Sequence, residues 1–292
     1  MKGCNQVWTK EGEMDFTFFI KVRCFCLAIV LLFSLTSFSQ SESDDEKYNT
    51  HYTIDDRELS RIPIGFASPT DLLLENSQET SPQLDLTRWV SHQGDLPTPN
   101  EKYDRKKHFG GWVTDAFGDC QNTRAKVLIR DSKVEVTYTN SQKCTVLAGE
   151  WNDPYTGKTY TSARDIQIDH LVPLKHAYDS GAWKWSDKKR CLYGNFDFND
   201  FHLLSVDGPE NMKKGARSPD QYMPPNEKYS CQYLQQWLMV KAIWALPLNA
   251  GEAKGVNELI KEHNCSNSEM QSQLVFLKKQ RTQIMNQNQK CL

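Results

Sequence analysis

The sequence predicts an α+β fold: a small mixed domain with several helices, stabilised by disulfides and preceded by an export leader and a polar tether. Three observations predict it. Short alternating segments and helical periodicities succeed one another between residues 101 and 250. Six of the nine cysteines fall beyond the leader, an even number in an exported chain. Residues 40–100 lack periodicity and begin with the acidic run Ser41-Glu42-Ser43-Asp44-Asp45-Glu46.

The leader comes first. Lys21 and Arg23 precede an uncharged run from Cys24 to Phe38, and Ser37-Phe38-Ser39 offers small residues for cleavage before Gln40. We expect a signal peptide over 1–39, with Met14 as an alternative start, and a secreted or periplasmic product. The apolar run is shorter than the roughly 20 residues of a membrane span, so no stable membrane insertion is expected after cleavage; an uncleaved anchor is the alternative. Residues 40–100 read as a flexible tether, with Ile62-Pro63-Ile64 and Leu72-Leu73-Leu74 as apolar spots able to dock.

The elements of the domain follow in order. Asn122 to Arg130 carries Ala125, Leu128 and Ile129 at helical spacing. Lys133 to Thr139 alternates as a half-buried strand, and Cys144 to Trp151 is its hairpin partner. Asp153-Pro154-Tyr155-Thr156-Gly157 is a turn. Arg164 to His170 is a strand, and Phe201 to Val206 the returning one. Helices over Lys175–Ala182 and Ser186–Tyr193 are inserted between them. Gly208-Pro209-Glu210 opens a short helix, with proline suited to a first turn. Ser230 to Leu246 is a core helix, and Trp183, Trp185, Trp237 and Trp244 read as core aromatics.

Residues 251–292 are expected as a C-terminal helical extension. Its main helix runs from Ser266 to about Asn288, opened by a Ser266–Glu269 capping box. Such a helix would hold Cys265 and Cys291 roughly 33 Å apart, too far for a disulfide. Six cysteines allow fifteen pairings; Cys120–Cys144 is the pair we favour. No C-x-x-C spacing suggests a zinc knuckle.

The net charge of -2 does not announce a nucleic-acid binder. Basic residues nevertheless cluster at Lys102, Arg105, Lys106 and Lys107, at Lys188, Lys189 and Arg190, and at Lys213, Lys214 and Arg217. They flank Gln167-Ile168-Asp169-His170-Leu171-Val172-Pro173-Leu174 and Asn211-Met212-Lys213-Lys214. Phosphodiester hydrolysis needs a base for water, and charge on the phosphoryl and leaving oxygens. A neutral histidine suits the first. A carboxylate and a carboxamide oxygen suit a hard divalent cation for the second. An Asp-His pair alone is common by chance; the ordered set with Asn-x-x-Lys after a second strand is more specific.

Over about Tyr103 to Leu248 the chain resembles an exported bacterial HNH (beta-beta-alpha metal) endonuclease. The resemblance is carried by Tyr103-Asp104-Arg105, Phe109-Gly110-Gly111-Trp112, Gly118-Asp119-Cys120-Gln121-Asn122-Thr123-Arg124 and Asp153-Pro154-Tyr155-Thr156-Gly157. Ile168-Asp169-His170-Leu171-Val172-Pro173-Leu174, Ala177 to Ala182, Leu203 to Asn211, Lys214-Gly215 and Met223-Pro224-Pro225-Asn226 complete it. It implies a beta-beta-alpha metal finger within the domain, Asp169 and Asn211 as ligands of one divalent metal, Mg²⁺ or Mn²⁺, and His170 as general base. Lys214 matches a lysine near the phosphate. The family's middle asparagine, which props the base-bearing loop, is here His202, nine residues before Asn211. Propping is the favoured role for His202; joining the metal and favouring Zn²⁺ is the alternative.

The resemblance implies cleavage of DNA, with RNA as a second substrate, leaving 3′-hydroxyl and 5′-phosphate ends. Arg124, Arg164 and Arg217 are candidate phosphate contacts, each balanced against an ordinary structural role. No second recognition domain is visible, so low sequence specificity is expected, from a monomer. A non-catalytic exported binder of nucleic acid or an envelope partner is the competing reading, and a toxin with an immunity partner a weaker third. His176 is expected on a helix surface.

Overall fold

The computed structural model describes residues 83–87, 96, 98–114, 119–286 and 291. All of them lie in the unit spanning Lys47–Leu292. The signal peptide and the two apolar spots of the tether lie outside the described residues.

The described elements are, in chain order, β1 (Gln83–Asp85), α1 (Arg105–Phe109), α2 (Thr123–Asp131), β2 (Thr137–Tyr138), β3 (Val146–Asn152), β4 (Thr159–Ser162) and β5 (Ile166–His170). Then come α3 (Leu174–Asp179), α4 (Asp187–Gly194), β6 (Leu203–Asp207), α5 (Gly208–Lys214), α6 (Ser230–Ile243), α7 (Ala250–Glu262), β7 (Gln271–Gln273) and α8 (Leu274–Asn286). Strands pair as β1–β7, β2–β3–β4 and β5–β6, all antiparallel. The fold is thus mixed α+β with small sheets. Among the described residues no helix is long and apolar enough to cross a membrane.

The β5–β6 pair separates two cores. Its register sets Ile168 against Ser205 and Asp169 against Leu204, so alternate residues face opposite ways. Ile166, Ile168 and Leu203 join Val127, Leu128, Val146 and Trp151 in one core beneath α2. Leu204 and Val206 join the larger core of α4, α6 and α7. Two arginines of α2 fix the ends of the pair. Arg124 donates to the carbonyls of Ala163 (3.0 Å) and Ile166 (2.8 Å), and Arg130 to those of Asn199 and Leu203.

Helix ends follow their sequence signals. Asn122 caps α2 by accepting from Ala125 N, and Asp207 caps α5 by accepting from Glu210 N at 2.8 Å. Pro209 occupies the first turn of α5, where a missing N–H costs no helical bond. Asn249 and Glu252 form a reciprocal capping box at α7.

Several expectations change. The strand over Lys133–Thr139 shortens to Thr137–Tyr138. Ser132 Oγ donates to Val134 O and accepts from Glu150 N, a local bonding pattern that draws this stretch off the ladder and leaves Val134 exposed. β4 was not foreseen. Gln83–Asp85, within the expected tether, form β1, and Leu84 and Leu86 are buried.

Ser266 and Glu269 do bond reciprocally, but they close only a turn. The chain then pairs as β7 with β1 before α8 starts, so the long helix from Ser266 does not form. Ala253, Val256, Leu277 and Ile284 belong to the larger core, so the helices of residues 251–292 contribute to it.

The disulfides are Cys120–Cys144, Cys191–Cys291 and Cys231–Cys265. His176 is buried rather than on a surface. Its Nε2 lies 2.9 Å from Lys241 Nζ and 3.2 Å from Glu252, and Lys241 also bonds Ser180 and the Pro247 carbonyl. Charge balance between Lys241 and Glu252 makes that interior position tolerable.

Candidate functional site

β5 ends at Asp169 and His170, and the two side chains leave on opposite sides. Asp169 shares its face with Gln167, and α5 lies over that face. Asn211 Nδ2 donates to Gln167 Oε1 at 2.9 Å, and Lys214, one turn later, reaches Asp169. Lys214 Nζ is 3.0 Å from Oδ1 and 2.8 Å from Oδ2 of Asp169, and donates to the His170 carbonyl at 3.0 Å. Its side chain is fully buried, so in this conformation its charge neutralises Asp169 instead of facing outward. Burial lowers the lysine pKa, and the carboxylate works against that shift.

A further donor to Asp169 comes from the Asp153–Gly157 turn. The Asp153 carboxylate accepts from the amides of Tyr155 and Thr156, and Gly157 closes the turn at φ +71. Asn226 clamps the turn from outside, donating to Pro154 O (2.9 Å) through its side chain and to Tyr155 O (2.9 Å) through its backbone. Tyr155 is thereby driven inward, and its hydroxyl donates to Asp169 Oδ2 at 2.5 Å. Burial, with Asp169 beside it, raises the phenol pKa well above the ordinary value, so the hydroxyl keeps its proton.

His170 is held by different means. Its Nε2 lies 2.9 Å from the carbonyl of Gly194 at the end of α4. A carbonyl only accepts, so Nε2 carries the proton and Nδ1 the lone pair. Nδ1 makes no hydrogen bond with a described residue and is not sealed away as a buried unpartnered atom. The Trp112 indole lies parallel to the imidazole, with centroids 5.4 Å apart and planes within 1°; Tyr193 stacks at 6.5 Å. Burial pushes the His170 pKa well below the ordinary histidine value, against the Gly194 bond, and Arg105 and Lys214 push the same way. The ring is therefore neutral at pH 7.

His202 sits behind this arrangement. Its Nε2 is 2.8 Å from the Tyr193 carbonyl, one peptide from the carbonyl that holds His170. Rings of Tyr193, Phe196 and Trp244 enclose it, its Nδ1 is buried without a partner, and burial lowers its pKa to about 4.

The oxygens that a divalent cation would need are present. Among the described residues Asn211 Oδ1 has no donor, and Asp169 accepts three contacts where a carboxylate offers about four positions. These are hard donors suited to Mg²⁺ or Mn²⁺ with water completing the shell. Among the described residues no three His, Cys, Asp or Glu side chains cluster as a metal site.

Of the candidate phosphate contacts, Arg124 is half-buried and donates to the Ala163 and Ile166 carbonyls. Arg164 is exposed, and Arg217 is exposed with its guanidinium on the Lys213 carbonyl. Sequence reasoning passed over Trp112, Tyr155, Gln167 and Asn195 as site residues. The first three lie inside the quoted motifs Phe109–Trp112, Asp153–Gly157 and Gln167–Leu174, which is the available signal.

A carboxylate, a carboxamide and a neutral imidazole are thus gathered at the end of β5 and on α5. Residues 122–247 match the family model of the C-terminal domain of GmrSD restriction endonucleases. An uncharacterized secreted protein of Arthroderma benhamiae is 36% identical over 165 residues, which cover 56% of this chain and 76% of the relative. The chain belongs to the same family as that secreted fungal protein and carries a nuclease-family domain. No solved structure matches it.

Proposed function

We propose that the protein is an exported HNH-type endonuclease that hydrolyses phosphodiester bonds of DNA, and of RNA as a second substrate, with low sequence specificity. The observation that carries this reading is the His170 imidazole, fixed by Gly194 with its unprotonated Nδ1 available. It takes the proton of the attacking water. Burial keeps it unprotonated at neutral pH. Asp169 and Asn211 would hold one divalent cation, Mg²⁺ or Mn²⁺, which when bound supplies positive charge to the phosphoryl and leaving oxygens.

Tyr155 and Lys214 orient the Asp169 carboxylate, and the Lys214 ammonium balances its charge. His202 props the Tyr193–Gly194 backbone rather than serving as a ligand, an assignment supported by its Tyr193 bond and its aromatic enclosure. Arg164 and Arg217 contact phosphates, giving affinity without sequence preference. Export is supported by three disulfides and by the secreted relative.

The test uses protein from Gln40 onward, disulfides intact, with supercoiled plasmid and Mg²⁺ or Mn²⁺, beside EDTA and His170→Ala. Nicking that is lost in both controls is expected. Full activity of folded His170→Ala would remove the base assignment. Absence of cleavage with any divalent metal would favour the non-catalytic binder.

A further inference from the structure

The imidazole of His170 has two supports far apart in sequence, and one side chain joins them. Behind the ring is the Gly194 carbonyl; over its face is Trp112. Asn195 is fully buried directly after Gly194. Its Oδ1 accepts from Val113 N at 3.0 Å, and its Nδ2 donates to Gly111 O at 3.1 Å. One carboxamide therefore grips both neighbours of Trp112, as a strand partner would. The same Nδ2 donates to Cys191 O at 3.0 Å, within α4, and the Asn195 backbone N–H closes the helix on Leu192 O at 3.1 Å.

We propose that Asn195 is a positioning residue for the His170 base, holding the Gly194 carbonyl behind the imidazole and the Trp112 indole over its face as one unit. The proposal rests on the reading of His170 as the base. The chemistry demands a carboxamide: the site needs one acceptor and two donations in one plane. Aspartate has the shape and the acceptor but no N–H for Gly111 or Cys191. Leucine has neither. A loosened clamp lets the ring turn about its stem, so that Nδ1 no longer points where water is delivered. Such misplacement affects the chemical step more than substrate affinity.

The test compares Asn195→Asp, Trp112→Leu and Trp112→Phe with wild type, all as full mature chains with disulfides intact. Cleavage of a double-stranded DNA oligonucleotide with Mg²⁺ gives kcat and KM, and ¹⁵N-edited NMR reports the Nε2–H of His170. For Asn195→Asp and Trp112→Leu we expect kcat to fall roughly 10- to 100-fold with KM little changed, and the Nε2–H signal to broaden or disappear. Trp112→Phe, which keeps a stacking ring, should recover most of both.

Folded Trp112→Leu or Asn195→Asp with wild-type kcat and an unaltered Nε2–H signal would overturn the proposal. If Asn195→Asp fails to fold, the Trp112 pair decides alone. Wild-type protein that does not cut DNA, but whose Nε2–H signal is lost in the variants, would sink the nuclease reading while supporting the clamp.

Discussion

Replacing Lys214 with methionine isolates the energetics of the site. The lysine is fully buried, and its ammonium lies 2.8 Å from Asp169 Oδ2 and 3.0 Å from Oδ1. At an effective dielectric of about 20, charges 2.8 Å apart attract by about 6 kcal/mol. Burial opposes part of that gain, but methionine does not return the cost, because it leaves the Asp169 carboxylate inside without a cation. Breaking a buried pair by removing one partner costs about 3–5 kcal/mol. Tyr155 still donates to the stranded carboxylate, which places the loss near the lower end, about 3 kcal/mol. For a domain of this size that is roughly 6–12 °C in Tm. Urea unfolding of oxidised protein at pH 7 is the assay, run with Asp169→Asn and the double variant. The double variant should be less destabilised than the sum of the singles, by about 1–3 kcal/mol. A loss under about 1 kcal/mol, or plain additivity, would show that the pair is solvated rather than buried.

Three other outcomes follow from the same geometry. Burial alone would raise the Glu252 carboxyl, but Lys241 and His176 outweigh it and pull the pKa down to about 2. A depressed carboxyl stabilises above its unfolded value and loses that contribution as pH falls through the folded one, so about 3 kcal/mol should disappear between about pH 4.5 and 2. Glu252→Gln should be less stable at pH 7 and flatter across that window; parallel pH–stability curves would refute the assignment. Arg124→Ala should lose about 1.5–3 kcal/mol, as a charged donor removed from two carbonyls. Arg164→Ala should keep its Tm, bind DNA more weakly and lower the salt dependence of binding by about one counterion; equal behaviour of the two variants in unfolding assays would contradict their placement. Opening the Cys191–Cys291 loop should cost about 4.7 kcal/mol against about 3.5 for Cys120–Cys144, from loops of 100 and 24 residues. Double serine variants compared by urea unfolding would test that order.

Local signals in the sequence were reliable where structure is local. The strand ending at Asp169-His170 and the Pro209 helix carrying Asn211 and Lys214 are written in consecutive residues. Contacts made across the chain had no such trace. Trp112 meets His170 across 58 positions, and Asn195 reaches Gly111 across 84. No periodicity encodes either meeting. His176 looked like a surface residue because the Lys241 and Glu252 that receive it lie on later helices. The bonds from Arg124 to the Ala163 and Ile166 carbonyls have no mark in the sequence either, since a brace and a phosphate contact need the same guanidinium. At Ser266 the capping signal was physically real, yet β1 pairing drew the next residues into a strand.

The three disulfides also impose an order of events on a chain that emerges N-terminus first. Cys120 and Cys144 are consecutive cysteines and can join as soon as both are out. Cys191 then waits for Cys291, while Cys231 and Cys265 pair within that interval. Oxidation strictly by order of arrival would join Cys191 to Cys231, a wrong bond that must be exchanged before α4 is tied to Cys291. The helix that ends in the Tyr193 and Gly194 carbonyls is thus the last to receive its covalent anchor, and thiol–disulfide exchange runs from seconds to hours. A nascent chain passes through this interval with the imidazole's backbone support untethered, which links the onset of any activity at His170 to the thiol chemistry of the compartment it enters.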